Sequence, residues 1–262
     1  MSKLKYGGGT TPGGWHLQDP RKLALKLYDE QNNLVVIELF APSYYEPTIS
    51  VSRIAKLYQN FSKHLHALNI TVMIHFVNGN DETVRRLKMK DVIKAYPVDD
   101  ILWLMTAINN STDILVPVAE GSNYLIEKEA EKWKGPLAYN GTGRPSMIPP
   151  GYKYADYHTQ SQTDFGPAGT QTIICTDNGP IINSLASGAK PPHYWNSESV
   201  GHYIDQLVLK EHIAGLVLYA SGCDVADLTP FVAGMKAFKG KVDRKKATWN
   251  YHMLKYFKYV KD

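Results

Sequence analysis

A cysteine stands just beyond an apolar run, where its thiol could act as a nucleophile. The run GLVLYA, Gly215 to Ala220, is followed by Ser-Gly and then by Cys223. Six consecutive small or apolar residues predict a central strand of a parallel sheet, buried on both faces. A thiol at the end of such a strand becomes a nucleophile if a base and hydrogen-bond donors lower its pKa. A free cysteine is also often a small buried hydrophobic residue, so both interpretations stay open.

A carboxylate follows a second apolar run. The segment TQTIICTDNG, starting at Thr170, predicts a strand that ends at Asp177 and Asn178. In parallel α/β sheets, ligands and catalytic groups lie beyond the carboxyl ends of the strands. Asp177 is therefore a candidate catalytic or ligand-binding acid, although Asp-Asn-Gly is also an ordinary turn. If the two strands are neighbours, we expect Asp177 and Cys223 to lie at the same edge of the sheet.

The chain offers a base and several ligand-binding groups in its loops. His193 lies in KPPHYW, where two prolines would hold its loop stiffly, and we take it as the candidate base, with His158 as the alternative. The glycines of YNGTGRPS suit an anion-binding loop, and its Arg144 is a natural partner for phosphate or carboxylate. A plain turn explains that loop as well. The predicted ligand-binding residues are Arg144, Asn178, Tyr154 and His158.

The histidine and cysteine spacing predicts no metal site. His64 and His66 lie two apart on a predicted helix and so point to different faces. No cysteine or histidine pair has the spacing of zinc ligands, and neither a Walker A loop nor a dinucleotide fingerprint is present. The sequence-based expectation is therefore a site without a metal and without a cofactor.

Alternating strands and helices would position these residues. Apolar residues recur at helical spacing over 48–68, and the run ITVMIHFVNG that begins at Ile70 predicts a central strand. Residues 22–40 predict a hairpin around Glu-Gln-Asn-Asn. The alternation predicts an α/β fold: a mostly parallel sheet with helices on both faces.

Composition predicts one domain over residues 21–262. The Gly-, Pro- and Thr-rich residues 1–20 predict a flexible N-terminal segment. Residues 136–170 lack periodicity and predict a long loop, which its tyrosines would keep ordered and close to a ligand.

The order of predicted elements in residues 170–238 resembles that of the caspase-like (clan CD) cysteine peptidases, including those of bacterial toxins and surface proteins. The segment LVLYASGCDVADLTPFVAGM resembles the family's cysteine segment. The resemblance implies a caspase-like order in the second half of the sheet, Cys223 as nucleophile, and a protein or peptide substrate. The family has a His-Gly pair where this chain has Asp-Asn-Gly. The base would then be His193 or His158, and Asp177 would orient or polarise it.

Three functional hypotheses follow, and they leave open whether the chain is an enzyme. The first is a bacterial effector-like cysteine hydrolase of caspase-like fold. The second is a non-catalytic module of the same fold that binds a ligand or a cognate protein. The third is a nucleotide-processing toxin that uses the region of Arg144 and Asp177.

The charge and hydropathy of the sequence limit where the protein could be located and what it could bind. A net charge of +4 is mild and does not by itself predict nucleic-acid binding, so we do not expect nucleic acid as a partner. No apolar run reaches the ~20 residues that span a bilayer, and the N-terminus lacks the apolar core of a signal peptide. Two distant cysteines do not form a disulfide framework. We expect a cytoplasmic protein, or one delivered by a secretion system that needs no signal peptide.

Overall fold

The computed structural model describes residues 7–10, 15–29, 34–39, 49–76, 98–119, 121–141, 144–159, 164–177, 206, 210 and 212–219 of the chain. The strands in these parts are β1 (Gly7–Thr10), β2 (Leu34–Leu39), β3 (Thr71–Phe76), β4 (Ile114–Val116), β5 (Ala138–Tyr139), β6 (Tyr154–Thr159), β7 (Gln171–Asp177) and β8 (Ile213–Tyr219). The α-helices are α1 (Pro20–Asp29), α2 (Val51–Ala67), α3 (Val98–Ile108) and α4 (Tyr124–Ala130). Single 3-10 turns lie at Trp15–Leu17 and Asn109–Ser111.

The eight strands form one closed parallel barrel. Their order across the sheet is β4-β3-β2-β1-β8-β7-β6-β5, and every pair is parallel. The two end strands also meet, because Leu115 bridges to Leu137 and its N–H donates to the carbonyl of Pro136 at 3.2 Å. Each strand therefore lies beside its neighbours in the chain, which is the topology of a TIM barrel.

The alternation of side chains along the strands divides the buried residues into two sets. Residues that point outward from β2 and β3 pack under the helices, where Ile54, Phe61, Leu65 and Leu104 cover them. The inward residues form a second cluster that fills the barrel; it consists of Leu34, Val36, Met73, Ile114, Val116, Ala138, Tyr154, Ile173 and Ala214. The barrel interior is thus a packed core.

Helix α2 shows why the local sequence folds as it does. Ser50 begins it, and its hydroxyl accepts the N–H of Arg53 at 3.3 Å, which satisfies a donor of the first turn. The apolar residues at helical spacing are buried against the barrel. Asn69, with a φ of 58°, follows the helix and turns the chain into β3. Within the described ranges no helix combines the length and the apolar character that crossing a membrane requires.

The predicted α/β class with a parallel sheet is confirmed, but the predicted caspase-like order is wrong. Strands β5 to β8 lie side by side in chain order within a closed barrel. A strand followed by a polar turn and a helix is common to all parallel α/β proteins, so this local pattern does not specify strand order. Because the sheet closes, its inner face lines the barrel, and the helices described above lie on the outer face.

Three segments contain elements that the sequence analysis does not predict. The segment expected to form a hairpin contains helix α1 followed by β2, because the apolar positions of α1 face one side of a helix. The segment 136–170, expected to be a long loop, contains β5 and β6. Strand β1 lies within residues 1–20, for which the composition predicts flexibility, and it pairs with β2 and β8.

An ion pair joins α2 to the residue that precedes β4. His66 Nε2 lies 2.8 Å from Asp113 Oδ2, and the same oxygen accepts the N–H of Val72 at 2.8 Å. The hydrogen bond with Asp113 raises the pKa of His66 above its ordinary value of 6.5, against the opposing effect of burial. Burial raises the pKa of the Asp113 carboxyl, but the hydrogen bonds from His66 and Val72 outweigh it and hold that pKa below 3.8.

We predict that His66→Gln lowers stability only where the imidazole is charged. The contribution of His66 to the free energy of unfolding is fully present below its unfolded pKa of 6.5 and disappears as the pH rises through its higher folded pKa. The contribution of Asp113 is present above its unfolded pKa of 3.8 and is lost as the pH falls through its lower folded pKa. Because the pair is partly exposed, the free energy of unfolding should fall by about 0.2–1 kcal/mol at about pH 5.5 and should not change at about pH 9. Urea unfolding at the two pH values measures it. His64→Gln, on the same helix, is the control, and an equal loss at both pH values would contradict the assignment.

Candidate functional site

Along β3, β5 and β6 the inward residues change from apolar to polar toward the carboxyl end of the barrel. Met73, Ala138 and Tyr154 belong to the apolar inner cluster. Two positions further along the same strands the inner residues are His75 on β3, Asn140 after β5, and Asp156 followed by His158 on β6. These four side chains are buried, with exposures of 1% for His75, 0% for Asn140 and Asp156, and 7% for His158. We call them the polar layer.

A single carboxylate oxygen is the centre of the polar layer. Asp156 Oδ2 lies 3.3 Å from His75 Nε2 and 3.4 Å from His158 Nε2. It accepts a hydrogen bond of 2.7 Å from Asn140 Nδ2, which also lies 3.3 Å from the backbone carbonyl of Asp156. The two imidazole rings stack, with their centroids 5.9 Å apart and their planes 22° apart. Side chains from β3 and β6, which are not neighbours in the sheet, therefore meet across the barrel interior.

Burial sets the protonation of His75. Removal from water lowers the pKa of its imidazole below 6.5; the charge of Asp156 raises it, and His158 lowers it further. His75 is therefore neutral at neutral pH, and one of its ring nitrogens carries a lone pair. Neutral imidazole and carboxylate are the usual nitrogen and oxygen ligands of divalent transition metals. The ligand atoms that His75, Asp156 and His158 offer all lie within 4.8 Å of one another.

The structure brings one of the sequence-predicted residues into the polar layer and places others elsewhere. His158 belongs to the layer, and Tyr154 lies deeper in the same strand, buried in the inner apolar cluster. Arg144 is exposed, and its Nε donates to the carbonyl of His158 at 3.2 Å. The backbone of Asp177 ends β7, beside Tyr219 of β8. Cys223, His193 and Asn178 lie outside the described residues.

Sequence reasoning missed His75, Asn140 and Asp156. One signal was available: in YADYHT the inward residues Tyr154, Asp156 and His158 occupy every second position of a strand. Polar groups at alternate positions of a buried strand indicate a polar site inside a barrel. His75 lies inside an otherwise apolar run, and no spacing rule connects it to a strand so far along the chain.

Comparisons with known proteins show the barrel fold. No family model matches the sequence, and no curated protein matches it. Among solved structures, a broad-specificity endoglucanase from Clostridium longisporum is similar at 10% identity over 98% of this chain and 97% of its own, with a TM-score of 0.50. The pneumococcal virulence factor StrH, whose structure concerns N-glycan recognition and hydrolysis, is similar at 8% identity over 97% and 84%, also with a TM-score of 0.50.

A third similar structure is longer than this chain. It is an alpha-L-fucosynthase from Thermotoga maritima, with 12% identity over 91% of this chain and a TM-score of 0.46. This chain spans only 55% of its length.

The barrel fold shows that the predicted caspase-like fold is wrong, and so is the function that was predicted from it. The similar structures are glycoside-processing proteins, and the chain has a closed parallel barrel in place of the predicted sheet. The expectations of a cysteine peptidase and of a bacterial toxin or effector are therefore wrong, as is the expectation of a binding module of that fold. The general terms hydrolase and α/β fit the similar structures.

We predict that Asn140→Ala destabilises the folded protein by about 1–3 kcal/mol, because it removes a hydrogen-bond donor from a buried carboxylate. Denaturant unfolding near neutral pH measures the loss. Asn110→Ala is the matched control, since Asn110 is exposed and its truncation should change stability by less than about 0.5 kcal/mol. Equal stability of the Asn140 variant and the wild type would show that the hydrogen bond does not support the polar layer.

Proposed function

We propose that this protein is a barrel hydrolase that cleaves glycosidic bonds at the carboxyl end of its strands. The observation that carries the proposal is the polar layer, which replaces apolar packing at that end of the barrel interior. TIM-barrel enzymes place their active sites at this end, on residues from several strands. The substrate class comes from the similar barrels, since one is an endoglucanase and the other concerns N-glycan hydrolysis.

Most glycoside hydrolases use two carboxyl groups that flank the glycosidic bond. The barrel sequence offers such groups at, or shortly after, the ends of strands. Glu38 is the next-to-last residue of β2 and pairs with His75, and Asp156 is on β6. Asp177 ends β7, and Glu120 follows the last residue of β4 by four positions in the sequence, although its placement lies outside the described residues.

We assign the reaction to Glu120 and Asp177, and a supporting role to Asp156. The carboxylate of Asp156 is fully buried and is held by Asn140, so a sugar cannot reach it without displacing the polar layer. Residues that follow the strands, by contrast, belong to the loops that form the active sites of such barrels. The polar layer then serves as the floor of the substrate site.

In this reaction one carboxylic acid protonates the oxygen of the leaving sugar while the glycosidic bond breaks. The other carboxylate then acts in one of two ways. It attacks the anomeric carbon and forms a covalent glycosyl-enzyme ester, which water hydrolyses after the first residue, now a base, deprotonates that water; or it deprotonates a water molecule that attacks the anomeric carbon directly. Water supplies the hydroxyl group of one product and the proton of the other. The stereochemistry of the product distinguishes the two routes, because two successive displacements through the covalent ester retain the anomeric configuration and a single direct attack by water inverts it.

The test is hydrolysis of a panel of glucans and N-glycans, measured by the release of reducing ends. We expect Glu120→Gln and Asp177→Asn each to lower kcat by about 10²–10⁴-fold, the usual range for loss of a general acid or base. Glu131→Gln is the matched control, since Glu131 is exposed at the end of α4. Cys223→Ala should also retain activity.

Two outcomes would contradict the proposal. One is a folded wild-type protein that hydrolyses no member of the panel. The other is hydrolysis that survives unchanged in both carboxyl variants.

A further inference from the structure

We infer that His75, Asp156 and His158 form a binding site for a divalent transition-metal ion inside the barrel, with Zn²⁺ as the ion that suits these ligands. The site goes beyond the glycosidase proposal and does not depend on it. It consists of two imidazole nitrogens and one carboxylate oxygen from β3 and β6, which are not neighbours in the sheet.

The spacing of the ligand atoms fits one ion. Zinc binds imidazole nitrogen and carboxylate oxygen at about 2.0–2.2 Å, so two ligands of a tetrahedral ion lie about 3.4 Å apart. Asp156 Oδ2 lies 3.3 Å from Nε2 of His75 and 3.4 Å from Nε2 of His158. The three residues offer ligand atoms that all lie within 4.8 Å of one another. Little movement is therefore needed to place one ion among them.

An unsatisfied nitrogen supplies independent support. Nε2 of His75 is fully enclosed and makes no hydrogen bond with any residue that the structure describes, although it faces Asp156 Oδ2. A buried polar atom without a hydrogen-bond partner destabilises the folded protein. A metal ion would accept the lone pair of His75 Nε2.

The charge of Asp156 also favours a cation. An ionised carboxylate in a barrel interior is strongly destabilised unless a positive group accompanies it. The side chain of Asp156 has an exposure of 0%, and imidazole nitrogens of His75 and His158 lie 3.3 and 3.4 Å from its Oδ2. A divalent ion bound between these atoms would place positive charge beside the carboxylate.

Groups next to the three ligands are placed to orient them. Asn140 Nδ2 donates to Asp156 Oδ2 at 2.7 Å, and Arg144 Nε donates to the carbonyl of His158 at 3.2 Å. Hydrogen bonds of this kind fix metal ligands, and their loss typically weakens binding by about 10–100-fold. Three protein ligands leave a fourth tetrahedral position for water or another small ligand.

The experiment is a titration of the metal-free protein with Zn²⁺. The protein is prepared without a histidine tag, treated with a chelator and dialysed, and binding is followed by calorimetry. We expect one equivalent of Zn²⁺ to bind and to raise the melting temperature. Co²⁺ should occupy the same site and give visible absorption that Zn²⁺ abolishes.

Variants locate the binding. His75→Gln and Asp156→Asn should each weaken Zn²⁺ binding by more than about 10-fold, since they remove a ligand, and Asn140→Ala should weaken it by about 10–100-fold. His64→Gln and His66→Gln, on the outer helix α2, are controls that should bind as the wild type does. Circular dichroism checks that each variant is folded.

The inference is overturned if the folded wild type binds no Zn²⁺, a result that needs no variant. It is also overturned if binding persists in folded His75→Gln and Asp156→Asn variants, or if it is lost in the His64 or His66 variants. None of these results bears on the glycosidase proposal, whose variants change Glu120 and Asp177.

Discussion

Closure of the sheet is the constraint on which the rest of this structure depends. The backbone contact of Leu115 with Pro136 and Leu137 joins β4 to β5, so the strands enclose an interior. Closure also pairs edges that would otherwise expose unsatisfied backbone groups. Because β3 and β6 then face each other across that interior, His75 and Asp156 come within 3.3 Å. In an open sheet the same residues would lie several strands apart.

The polar layer has an energetic cost that the apolar parts of the barrel must offset. The inner cluster below it and the outer cluster under the helices supply apolar burial on both sides of the strands. Against this, a buried carboxylate, two imidazoles and an amide each lose their contact with water. Such a layer is expected where a functional site lowers the stability of the folded protein. It lies at the end of the barrel where barrel enzymes have their active sites.

The barrel by itself does not identify a reaction, because this fold supports many unrelated chemistries. The similar structures establish the fold at 8–10% identity, and only the side chains at the carboxyl end of the strands can indicate a reaction. The buried histidines and Asp156 lie there, and we propose that they bind a cation. The carboxyl groups that we propose for proton transfer are those of Asp177, which ends β7, and Glu120, which follows β4 in the sequence. The cysteine interpretation relied on a strand and turn that any parallel α/β protein can contain.

The sequence by itself determined the helix and the strands whose apolar residues follow a regular short-range pattern. It predicts helix α2, and it predicts β3, β7 and β8 from continuous apolar runs, because strands buried on both faces need apolar residues at every position. It does not predict β6, whose inward positions are polar, or α1, whose apolar residues also fit a strand. The tertiary structure alone decided the barrel closure and the meeting of His75 with Asp156. Both depend on contacts between residues far apart in the chain, and local spacing carries no information about such contacts.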